Sequence, residues 1–206
     1  MSEAVHSPAR AAHFGRVLSI QTGRVRPLMV GQRKLVSAIG KTAVAGPVAL
    51  GPLGLMGDEQ ADLSVHGGLS KAVYALPSEH LPWWQAQRQA RGVTMFDEIL
   101  NPGYLGENLS LQGLFEQDVF IGDGLKLGDV VLRVTQPREP CGKFNAVMGY
   151  ALAAKDMVQS GRCGFYLAVR QPGTIAAGET YELIPGPRDV SIRELFQTKM
   201  RGRKAD

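Results

Sequence analysis

Apolar and polar positions alternate most clearly in a few short runs. GRVLSIQ (15–21) carries Val17, Leu18 and Ile20 and predicts a first strand. FEQDVFIGDGLKLGDVVLRVTQ (115–136) predicts strands at DVFIG and VVLRVTQ, with Gly-Asp turns at 122–123 and 128–129. GFYLAVRQ (164–171) and ETYELI (179–184) complete the set. From 25 to 60 the chain is broken repeatedly by Gly and Pro with apolar pairs between the breaks, a pattern of short barrel strands joined by tight turns.

Three segments read as helices. SEHLPWWQAQRQARG (78–92) offers Ser78 as N-cap and Gly92 as a stop, with Pro82 limiting how early the regular helix begins. NAVMGYALAAKDMVQSG (145–161) places Asn145 in a capping position ahead of Val147, Met148, Ala151, Leu152 and Met157. VSIRELFQTKM (190–200) has Ser191 followed three residues later by Glu194, a capping box, and it follows PGP (185–187) as an appendage to the strand-rich body. The expected division is a flexible N-terminus (1–14), one barrel domain (15–186), and a shortened C-terminal helix with a basic tail (187–206).

Composition sharpens this picture. The hydrophobic fraction of 44% and charged fraction of 20% are those of an ordinary globular chain, and 25 glycines with 12 prolines favour strands and turns over long helices. MSEAVHSPARAAHF at the start has no apolar h-region and no run of about 18 apolar residues occurs, so neither secretion nor a membrane span is expected. Two cysteines, Cys141 and Cys163, belong to no CxxC pair and are expected to be reduced, in the cytoplasm. The net charge of +4 is concentrated at the end: from Arg188 to Asp206 six basic residues face three acidic ones, leaving 4 − 3 = +1 for the rest. A broad nucleic-acid-binding face is therefore not expected. The Trp83-Trp84 pair fits either a core or an interface, and the chain either a monomer or a homodimer.

Two stretches carry candidate chemistry. DEQADLSVHGGLSKAVY (58–74) gathers carboxylates, His66, Gly67-Gly68 and Lys71. The glycine pair permits positive φ and offers N–H groups to an anion, Lys71 meets the same anion, and Asp62 can orient His66. QPREPCGKF (136–144) holds Cys141 in a proline-stiffened loop between Arg138 and Lys143, two cations that favour its thiolate. Cys163, at the edge of an apolar strand, reads as structural. A single cysteine cannot hold zinc or an iron-sulfur cluster, but it suffices for a metal that arrives already chelated.

GDEQADLSVHGGLSKAVYAL, then GENL (106–109), then GDGLKLGDVVLRVTQPREPCGKF, together resemble the MOSC domain family in its YiiM-like subgroup, over roughly Gly15 to Pro185. The resemblance implies a mainly β fold: a small closed β-barrel, similar to the pyruvate kinase barrel, with peripheral helices and a C-terminal extension of three helices. Only VSIRELFQTKM remains here of that extension. It further implies a molybdenum cofactor (Mo-molybdopterin) ligated through Cys141, and an association with pyridoxal phosphate binding. Lys34, Lys41, Lys71, Arg138 and Lys143, with Gly67 and Gly68, would then bind the cofactor's phosphate and rim. Asn108 would bond to pterin or substrate, and Asp62 and His66 would relay protons. The implied activity is reduction of N-hydroxylated bases or amines such as 6-hydroxylaminopurine to the parent amine, as detoxification, with an electron-donating reductase as partner. A persulfide sulfur carrier using Cys141, and a Cys-His-Asp hydrolase using Cys141, His66 and Asp62, are the alternatives.

Overall fold

The structure, a computed structural model, describes residues 13–61, 67–94 and 98–202. Among these the strands run as β1 (His13–Thr22), β2 (Arg26–Val30), β3 (Arg33–Ser37), β4 (Thr42–Ala43), β5 (Val48–Gly51), β6 (Gly54–Leu55), β7 (Val73–Pro77), β8 (Leu109–Gln112), β9 (Gly124–Leu127), β10 (Val130–Pro137), β11 (Phe165–Gln171), β12 (Gly173–Ile175) and β13 (Thr180–Ile184). Four helices accompany them: α1 (His80–Ala90), α2 (Gly142–Met148), α3 (Ala153–Ser160) and α4 (Ile192–Gly202).

Seven strands close on themselves in the order β1-β8-β7-β11-β10-β9-β13, and β13 returns to pair with β1. The expected mainly β, closed-barrel architecture is thus present. Alternation explains β10, where Val130, Leu132 and Val134 are buried while Arg133 is exposed. In β1 strict alternation fails: Val17 pairs with Leu111 and Ser19 with Ser110, leaving Leu18 as a bulge, so that Val17 and Ile20 are both fully buried. The turn between β9 and β10 is Gly128-Asp129, with Gly128 at φ 54° as a two-residue hairpin requires.

Strands also lie where none was expected, β7 and β8 in the barrel among them. β7 (VYALP) is buried at every position and pairs parallel with β8, so neither strand shows the alternation that marks a half-exposed sheet. Conversely DVFIG is a turn with one isolated bridge, Phe120 to Ser191. The fully buried Asp123 carboxylate accepts from the backbone N–H groups of Phe120 (3.0 Å) and Gly186 (2.7 Å) and from Arg188 (3.1 Å), which bends the segment inward.

The helices also depart from expectation in instructive ways. Glu79, not Ser78, occupies the N-cap of α1, with no side-chain cap bond; Pro82 is tolerated because first-turn N–H groups have no helical partner. The single helix expected over 145–161 is two, broken where Gly149 adopts φ 79°. Asn145 does cap, but it caps the second piece: its Oδ1 accepts from Ala154 N–H at 2.7 Å and its Nδ2 donates to Ala151 O at 2.8 Å.

At α4 the capping box forms as expected, with Ser191 and Glu194 bonding reciprocally. The helix is not a loose appendage, however. Ile192, Phe196 and Met200, four residues apart, bury one stripe, Phe196 completely, and the helix packs against β10. Lys199 adds an ion pair to Glu139 at 2.6 Å. Trp84 is fully buried in the core, edge-on to both Trp83 and Phe144.

Candidate functional site

A cleft of about 100 Å³ lies against the β7–β11 pair, where Tyr74 and Tyr166 stand opposite each other in register with ring centroids 5.5 Å apart. The cleft brings together residues that were read from separate motifs: Lys41, Gly67, Lys71, Asn108, Arg138, Cys141 and Lys143 all line it. Lys34 does not: it is exposed on the β2–β3 hairpin, opposite Met29. Gly68 is also absent from the lining. Asp62 and His66 lie outside the described residues, while their flanks Ala61 and Gly67 line the cleft.

Cys141 ends the loop that leaves β10. It is half-buried, has extended backbone (φ −126°, ψ 164°), and serves as N-cap of the short α2. Two anchors fix it. Its carbonyl accepts from Phe144 N–H at 2.9 Å, and Phe144 is fully buried with its ring 5.3 Å from that of Trp84. Arg138 is the most deeply buried of the cations that share the cleft with it. The Arg138 guanidinium is nearly fully buried (4% exposed), lies 4.6 Å from the Phe144 ring and 5.6 Å from that of Tyr74, and donates to Met157 Sδ at 3.4 Å. Among the described residues no carboxylate lies within ion-pair distance of it. The buried Glu107 carboxyl acts on it electrostatically from beyond that distance, and a buried cation with no direct ion pair favours an anion beside it.

Several expected anion donors are otherwise engaged. Lys41 is enclosed and bonded to both oxygens of Asp58, at 2.5 and 2.6 Å; burial lowers its pKa and the Asp58 carboxylate works the other way. Lys143 donates to Val36 O at 2.8 Å, tying α2 to the β2–β3 hairpin. The Gly68 N–H, expected to face an anion, donates instead to Gln60 Oε1 at 3.0 Å. Asn108 is likewise a builder of the wall: its Oδ1 accepts from Tyr74 N–H, while its Nδ2 donates to Gln21 O and to Asp58 Oδ2 at 2.8 Å. Lys71 keeps its ammonium 5.8 Å from the Tyr166 ring centroid.

The sequence reading missed Asp58, Tyr74, Tyr166 and Glu107. Asp58 is the hub, taking bonds from Gly23 N–H, Lys41 and Asn108, and only its place at the head of the DEQAD run hinted at a role. Glu107, in GENL, is fully buried; it accepts from Gly103 N–H at 2.6 Å and Leu105 N–H at 3.1 Å, holding the loop that presents Leu105, Gly106 and Asn108. Burial pushes its carboxyl up to about 7, against the pull of those backbone bonds. Burial also pushes the Tyr74 phenol well up, so it stays protonated and donates to Cys163 O at 2.8 Å. Cys163 itself is fully buried with its thiol pKa raised by burial, in keeping with a structural role.

Among the described residues no three His, Cys, Asp or Glu side chains are arranged to hold a metal ion, and no helix is long and apolar enough to cross a membrane.

The chain is also similar to known proteins. The MOSC domain family matches residues 62–182. Protein YiiM of Escherichia coli (strain K12) is 36% identical over 177 residues, which cover 86% of this chain and 75% of that protein. The crystal structure of YiiM from Geobacillus stearothermophilus superposes with a TM-score of 0.71 at 32% identity, covering 92% of this chain and 85% of that one. A protein of Gibberella moniliformis called "Reductase" is 35% identical over 174 residues, covering 84% of this chain but 30% of its own length. A barrel closed by β13, a lone cysteine beside a buried arginine, and these likenesses lead to one conclusion: the chain belongs to the MOSC domain family, as a YiiM-like member.

Proposed function

We propose that the cleft holds a molybdenum-pterin cofactor with Cys141 as the protein's one ligand to the metal, and that the protein reduces N-hydroxylated bases or amines to the parent amine. The observation that carries this reading is the pairing of Cys141 with Arg138: a soft sulfur donor beside a buried guanidinium that has no carboxylate partner among the described residues. The donor set fits such a group, because a thiolate suits a soft metal and a guanidinium suits a phosphate. Arg138 and Lys71 would hold the phosphate, and Cys141 the metal. When bound, the group supplies the two-electron redox chemistry that no side chain of the cleft offers.

Reducing an N-hydroxylamine breaks its N–O bond, forms an N–H bond and releases the oxygen as water, consuming two electrons and two protons. The electrons come from a separate electron-donating reductase. The chain's own part is binding and protonation. Tyr74 and Tyr166 form one apolar wall for a planar ring. The Lys41–Asp58–Asn108 network holds the opposite loop against β1 and β7, and Asp62 with His66 is assigned the proton relay to the departing oxygen. The "Reductase" relative supports the reaction class.

The test is metal analysis of wild type and Cys141→Ala from a cofactor-competent host, paired with an assay for 6-hydroxylaminopurine reduction. Wild type is expected to carry molybdenum and turn over, and Cys141→Ala to lose both. Turnover by metal-free Cys141→Ala overturns the reading, and a transferable persulfide on Cys141 without turnover replaces it with sulfur delivery.

A further inference from the structure

A second cleft, of about 270 Å³, opens between the start of α1, the 115–117 turn, the end of α3 and the start of α4. It shares no lining residue with the Cys141 cleft. Its polar lining is His80, Glu116, Gln117, Ser160, Arg162 and Arg193. The floor is a buried pair: His80 Nε2 lies 3.0 and 2.9 Å from the two Glu116 oxygens, and Glu116 Oε1 also accepts from Gly164 N–H at 2.7 Å.

Arg162 determines how this pair is protonated. Its Nη1 lies 2.9 Å from His80 Nδ1, and a guanidinium only donates, so Nδ1 carries the lone pair and the ring proton sits on Nε2, facing Glu116. The Glu116 charge is thus met by His80 and Gly164, not by Arg162. Neither Arg162 nor Arg193 has a carboxylate within ion-pair distance among the described residues, and the charged lining sums to 2 − 1 = +1. Arg162 is also oriented: its guanidinium is 5.3 Å from the Trp83 ring on one side and bonded to the imidazole on another. One of its five N–H donors is used there, which leaves a fork set in place before any ligand arrives.

We propose that this cleft binds a small phosphomonoester, with its phosphate received by Arg162 and Arg193. The volume exceeds that of phosphate alone, and Gln117 and Ser160 offer hydrogen bonds to the organic part. The two arginines come to one cleft only in the folded chain, because Arg162 follows α3 while Arg193 belongs to α4.

Isothermal titration calorimetry of the full chain at constant ionic strength tests this, with inorganic phosphate, phenyl phosphate and malonate as probes. Wild type is expected to bind both phosphates, phenyl phosphate more tightly, and malonate weakly. Losing a hydrogen bond to a charged group should weaken phenyl phosphate about tenfold in Arg162→Gln, with a smaller loss in Arg193→Gln. Arg193 is exposed, so its replacement leaves the fold intact and keeps the test decisive if Arg162→Gln folds poorly. Affinity unchanged in Arg193→Gln, or malonate binding more tightly than either phosphate, overturns the proposal.

Discussion

Replacing Glu107 by Gln should remove a specific slope from the pH dependence of stability. The Glu107 carboxyl is completely buried, and its pKa rises from 4.5 to about 7, chiefly through desolvation. The folded protein therefore keeps this proton to higher pH than the unfolded chain does. Between about pH 4.5 and 7 the unfolded state binds fewer protons, so stability falls as pH rises through that window and levels off above it. At about 1.4 kcal/mol per pH unit the full loss is about 3 kcal/mol, most of it between pH 5 and pH 8. Glu107→Gln keeps the shape but does not titrate. Its amide must face either Gly103 N–H or Leu105 N–H, which adds a constant loss independent of pH. The measurement is urea unfolding of both proteins from pH 5 to pH 8, taking the difference in unfolding free energy at each pH. Other titrating groups are common to both and cancel. The difference should shift by roughly 2–3 kcal/mol in favour of the variant as pH rises. A difference that stays flat refutes a buried carboxyl with a raised pKa at this position.

Asn108→Leu should destabilise the protein by roughly 2–4 kcal/mol in urea unfolding, since it strips the buried Tyr74 N–H and the Asp58 carboxylate of a partner each. In the same assay Phe196→Ala should cost about 3–5 kcal/mol if α4 is part of the core, and little if the helix is loosely attached. Ser191→Ala, which removes only the capping hydroxyl, should cost about 1 kcal/mol and leave the helix docked.

The residues most legible in the sequence were those whose role depends on near neighbours. Strands β10 and β13 could be read because buried and outward-facing positions alternate along them, and β11 because an apolar run, FYLAV, gives way to the polar Arg170 and Gln171. The α4 capping box was readable because Ser191 and Glu194 are three residues apart, and Arg138 with Cys141 because a proline-stiffened loop carries both. β7 and β8 escaped notice for the opposite reason: strands buried on both faces have no period, and a parallel pairing leaves no hairpin turn to announce it.

Residue types and local spacing thus determined the barrel class, the docked helix's cap and the thiol's immediate company. Tertiary structure decided which cations are available. Lys41 looked like an anion ligand until Asp58, 17 residues away, and Asn108, 50 residues beyond Asp58, enclosed it in a network. No local pattern marks Arg162, and only His80, 82 residues earlier, fixes its fork over a second cleft. A charge's partner is set by distance in space, and between residues far apart in the chain that distance exists only once the barrel has closed.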